Sequence, residues 1–68
     1  MDIWTEIGKA AGEVYEAFKG KGKVPLNAAQ KISKSDSTIV LMAIGWLARE
    51  GKAEVTKGKT SYEIRILD

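Results

Sequence analysis

The residues best suited to chemistry are few, and each lacks the surroundings its chemistry needs. Gly58-Lys59-Thr60 has the types that close a phosphate-binding loop, where backbone N–H groups cradle phosphates and the lysine reaches them. The preceding glycine, Gly51, lies too far upstream for the G-x-x-x-x-G-K-[ST] spacing, and the segment reads as the tip of a hairpin. Lys19-Gly20-Lys21-Gly22-Lys23 is no dinucleotide fingerprint either, since it follows a helical pattern and the fingerprint must follow a strand. Glu13 and Glu16 share a helix face, but paired charges on an outer face are ordinarily solvated. The chain holds no His and no Cys, so imidazole and thiolate metal sites, cysteine nucleophiles and disulfides are all excluded. The expectation is a non-enzymatic domain with no cofactor, no metal and no small-molecule ligand.

The elements that would carry a binding function must come from 68 residues. A domain of this size buries only about 60% of its unfolded surface, and the remaining route to extra stability is a partner chain. A hydrophobic share of 44% is that of a globular protein. Met1-Asp2-Ile3-Trp4 lacks the basic and apolar regions of a signal peptide, and no run approaches a membrane span, so the expected compartment is cytoplasmic and no membrane partner is expected. Net charge is only +2, but it is unevenly spread. Residues 1–18 hold Asp2, Glu6, Glu13 and Glu16 against Lys9, whereas 19–34 hold Lys19, Lys21, Lys23, Lys31 and Lys34 with no acid.

Ile3, Ile7, Ala10, Ala11, Val14 and Phe18 recur at helical spacing and predict a first helix over about residues 3–19. The glycines and lysines of 19–23 stop it. Val24-Pro25-Leu26 is extended because a residue before proline is biased away from helix. A short second helix follows over about 26–33, with Leu26, Ala29 and Ile32 as its buried side. Asp36 is suited to cap a third helix over about 37–50, ended by Gly51. Ala53 and Val55, then Tyr62, Ile64 and Ile66, alternate with polar residues and predict a hairpin over about 53–66. Placing Val55 opposite Tyr62 and Ala53 opposite Ile64 keeps the apolar residues on one face. Three helices followed by a two-stranded wing form an α+β winged helix-turn-helix, a single domain over 1–68.

The pairs Ile7-Gly8, Ala11-Gly12 and Val14-Tyr15, with the run from Met42 to Lys52 (Met42-Ala43-Ile44-Gly45-Trp46-Leu47-Ala48-Arg49-Glu50-Gly51-Lys52), resemble a family of very short prokaryotic winged helix-turn-helix proteins of unknown function. A helix with Gly beside Trp, closing on Arg-Glu-Gly-Lys, is specific. The resemblance covers nearly the whole chain and implies the fold, with no assigned activity and no functional residues.

The third helix stands where a winged helix presents polar and basic side chains to base edges. Its inward positions are Val40, Ala43, Ile44 and Leu47. The outward ones are Ile39, Met42, Trp46 and Arg49, flanked by Leu41 and Gly45, and of these only Arg49 suits nucleic acid. This apolar exterior points to a protein partner, most simply a second copy in a homodimer, with Ile39, Leu41, Met42 and Trp46 at the interface. Leu41 has a competing place in the core. Gly8 and Gly12, each costing about 1 kcal/mol in a helix, mark close packing, either inside the domain against the hairpin or Trp46 or between two subunits. Trp4, Ala11 and Tyr15 form the adjoining stripe, and Trp4 either joins it or caps the core. The alternative is a transcriptional or nucleoid-type protein whose Lys31, Lys34, Lys57 and Lys59, with Arg49, contact phosphates without reading sequence.

Overall fold

The computed structural model describes residues 2–32 and 36–67. Helix α1 spans Ile3–Phe18. The Asp2 carboxylate starts it by accepting the Thr5 N–H at 2.8 Å, which satisfies one of the donors a helix N-terminus leaves unpaired. Ile7, Ala10, Ala11, Val14 and Phe18 are its buried stripe. Lys19 is the C-cap, its N–H still bonded to the Tyr15 carbonyl at 3.0 Å. Gly20 and Gly22 then turn the chain with φ of +74° and +73°, a region open to glycine for want of a Cβ.

Strand β1, Lys23–Pro25, leads directly into α2, Leu26–Ile32. Helix α3, Ser37–Arg49, is capped by Asp36, whose carboxylate accepts the Ile39 N–H at 3.0 Å. It closes in a Schellman arrangement. Gly51, at φ +76°, donates to the Ala48 carbonyl, and Lys52 donates to that of Leu47 at 2.8 Å. The chain is thereby aimed into β2, Ala53–Lys57, and returns through β3, Tyr62–Ile66.

The sheet has three antiparallel strands in the order β1-β3-β2. The short extended segment before Pro25 is thus a strand, pairing Val24 with Ile64. Pro25, unable to donate to a ladder, is accommodated because β1 lies at an edge. The wing register also differs from the expected one. Val55 faces Ile64 and Ala53 faces Ile66, a shift of two residues that ends the hairpin at Lys57↔Tyr62. Gly58 N–H closes the intervening loop onto the Ser61 carbonyl at 2.7 Å. A shift of two preserves which side chains share a face, so the core-facing set survives it. On that set only the end near the helices is covered: Ala53, Ile64 and Ile66 are buried, but Val55 and Tyr62 are exposed because the wing projects beyond the helices.

The core joins the inner faces of α1, α3 and the sheet, with α1 packed chiefly on α3. Helix α2 contributes Ala29 fully and Leu26 in part, whereas Ile32, at its last residue, is exposed rather than buried. No buried polar or charged residue occurs among the described residues. On the outer face of the wing, Arg65 donates to Glu54 Oε1 from Nε at 3.1 Å and Nη2 at 2.7 Å, tying β3 to β2. No described helix is long and apolar enough to cross a membrane.

Candidate interaction surface

Helix α3 owes its position to Val40, Ala43, Ile44 and Leu47, all buried. Ile39 is buried with them and is not part of an outer face. The reason is angular. Ile39 precedes Ala43 by four residues, one turn, and so shares its side of the helix. It belongs to the core cluster and is removed from the interface set. Leu41, Met42 and Trp46 remain outward, 43%, 40% and 43% exposed. Core membership is thereby ruled out for Leu41.

Trp46 has two faces. A methyl placed on Gly8 would lie 3.5 Å from its Cζ3 and 3.7 Å from its Cη2, so the ring rests against α1 where a side chain is missing. Its Nε1–H donates to Glu50 Oε1 at 3.3 Å, one turn along the same helix. That bond satisfies the polar edge of the indole and leaves its other side exposed to solvent. Gly8 thus faces a neighbour within its own domain, at a distance where an added methyl would make ordinary contact. Gly12 is different: it lies in regular α1, it is exposed, and nothing stands within 4 Å of where its Cβ would be.

Between α1 and α3 runs an open groove of about 370 Å³. Gly8, Ala11, Gly12 and Tyr15 line it from α1, and Trp46 and Leu47 line it from α3. Glu16, Glu50 and Lys52 border it with charge. Tyr15 is half-buried against the core. Lys19 sits over its ring at 6.0 Å from the centroid and pairs with Glu16 at 3.0 Å, which steadies that end of the groove. In the sequence Glu16 stands only as a solvated charge on a helix face and Glu50 and Lys52 only within the family resemblance, with nothing beyond the Trp46–Glu50 spacing of four to bring the three to one groove. Trp4, on the same side of α1 one turn before Gly8, is 76% exposed and caps no core.

The basic residues are placed elsewhere. Arg49 is exposed in the last turn of α3, Lys31 in the last turn of α2, Lys57 ends β2 and Lys59 lies in the wing loop. Lys34 lies outside the described residues. Arg49 is the basic residue on α3, and the element that would enter a groove of DNA offers Leu41, Met42 and Trp46 instead of amides and guanidinium groups. Among the described residues no cluster of three His, Cys, Asp or Glu side chains is arranged to hold a metal. The Asp2 carboxyl is held below its ordinary value, first by the backbone N–H of Thr5 and then by its side chain, which is the signature of a helix cap and not of a catalytic group.

The sequence model of the winged helix-turn-helix domain DUF2582 matches residues 1–66. A protein of Methanocaldococcus jannaschii described as the uncharacterized protein MJ1608 is 41% identical over 68 residues, covering 96% of each chain.

Proposed function

The chain belongs to the winged helix-turn-helix family DUF2582, and we propose that it acts in it as a non-enzymatic binding module that associates with protein, most simply a second copy, through the outer side of α3. The observation that carries this reading is the exposure of Met42 and Trp46, with Leu41 beside them, on the helix that a DNA-reading winged helix would fill with polar groups. Large apolar residues gathered on one exposed face mark interaction sites, and tryptophan is enriched among interface hot spots. A two-fold dimer needs only one self-complementary patch. The test is the molecular mass in solution across a dilution series. Wild type is expected to dimerise, and Trp46→Glu to be monomeric or unfolded. Because Trp46 also rests on Gly8, Met42→Glu is the cleaner variant and is expected to stay folded while association falls. A wild-type chain that remains monomeric at high micromolar concentration refutes the reading.

A second reading is favoured by Lys31, Lys57 and Lys59, exposed side chains with no ion pair among the described residues. Such lysines contact phosphates by charge alone, and duplex DNA would then be bound with little regard to sequence.

A further inference from the structure

We infer that α1 forms an antiparallel two-fold contact with α1 of a second copy, each Trp4 seating in the partner's groove over Gly12. The inference rests on the self-association reading above and adds a register to it. Four observations converge. First, Trp4 is 76% exposed, an indole with almost no cover in its own domain. Second, the groove beside Trp46 and Tyr15 is open and mostly apolar, with Glu16, Glu50 and Lys52 also in its lining. Third, Gly12 has neither a left-handed backbone nor a neighbour to require it, although glycine is among the worst residues for a helix interior. Like Gly45 on the outer side of α3, Gly12 leaves a space that no contact of the chain itself fills and that a contact from outside can enter.

The fourth is the spacing. Trp4 lies four residues before Gly8 and Gly12 four after, about 6 Å of helix rise each way. A two-fold axis passing beside Gly8, perpendicular to both helices, brings each Trp4 opposite the other chain's Gly12, with the Trp46 ring that covers each Gly8 set near the centre. A parallel arrangement would set Trp4 against Trp4 and leave both grooves empty. The two tryptophans supply part of the area such a contact needs. Taking up to about 250 Å² for an indole, the exposed parts of Trp4 and Trp46 supply roughly 600 Å² across a pair of chains, before Met42 and the groove lining are counted. That is over a third of the roughly 1,600 Å² of a standard stable interface.

The experiment compares wild type, Trp4→Ala and Gly12→Leu by sedimentation equilibrium, with folding followed by circular dichroism. Each variant changes an exposed position, so both are expected to fold. Each is expected to weaken self-association at least about 30-fold, the effect of losing a hot-spot residue. Mixing the two variants one to one is expected to restore association to within a few-fold of wild type. The mixed dimer pairs one intact tryptophan with one intact glycine, and the introduced alanine with the introduced leucine. Variants that each dissociate without rescue on mixing would overturn the Trp4–Gly12 pairing. Variants that dimerise like wild type, while Met42→Glu does not, would overturn the α1 geometry and leave the α3 reading standing. A monomeric wild type would sink both.

Discussion

Replacing Gly12 by alanine separates the demands of the single domain from those of its association. Within one chain the added methyl meets nothing within 4 Å, so no packing cost offsets the better helix propensity of alanine. That propensity is about 1 kcal/mol in a helix interior, which in a domain of this length raises the unfolding temperature by about 4–8 °C. Between chains the sign reverses. The methyl stands where the partner's Trp4 must seat, and overfilling a packed contact costs typically about 1–3 kcal/mol, or roughly 5- to 150-fold in affinity. Thermal unfolding at low micromolar concentration should therefore show a gain for Gly12→Ala, while sedimentation at high concentration shows a loss. Gly45→Ala is the control for the gain in dilute solution only, since Gly45 is also helical, exposed and free of neighbours within 4 Å but lies on the outer side of α3. It should show the same stability gain there. A Gly12→Ala domain less stable than wild type in dilute solution would mean that the groove is filled from within, and the reasoning would fail.

Two further outcomes are expected. If the lysines bind phosphate, affinity for duplex DNA should fall steeply with salt, and Lys57→Ala with Lys59→Ala should flatten the log–log salt slope by about two units; strong discrimination between DNA sequences at moderate salt would contradict the assignment. Because the Thr5 hydrogen bonds favour the charged form of Asp2, its capping contribution should be complete above the ordinary Asp value of about 3.9 and be lost as pH falls through its lower folded value. Asp2→Asn keeps a capping oxygen without the titration, so urea unfolding should show the gap between wild type and variant narrowing below about pH 4. A gap independent of pH would contradict it.

What the sequence disclosed follows from how strongly each feature is signalled locally. The stripe from Ile7 to Phe18, the Asp36 cap and the Gly51 stop are each written in neighbouring residues, and they locate α1 and α3. Strand β1 is three residues long, too short for alternation to show, and only its pairing with β3 makes it a strand. The wing register slipped by two because period-two patterning is unchanged by such a shift. What pins it is the loop from Gly58 to Ser61, whose closing bond involves backbone atoms alone. Ile39 is legible as well, since its spacing of four from Ala43 puts it on the core side, and the outward assignment passes over that spacing. The two helix glycines look equivalent in sequence. Only the position of the Trp46 ring, a contact between α1 and α3, separates the occupied Gly8 from the open Gly12.

The two readings of this domain compete for the same helix, and their compatibility is itself constrained. A dimer that buries Met42 and Trp46 takes the outer side of α3 out of solvent, and a buried recognition helix cannot enter a major groove. Nucleic acid, if bound by such a dimer, must be met by the end of α2 and the wing, where Lys31, Lys57 and Lys59 stand clear of the α1–α3 groove. Those groups reach phosphates and carry no sequence information. Self-association through α3 thus entails sequence-tolerant DNA binding or none. Sequence-specific binding would require the opposite assignment, with the tryptophan face free and Arg49 as its main reader.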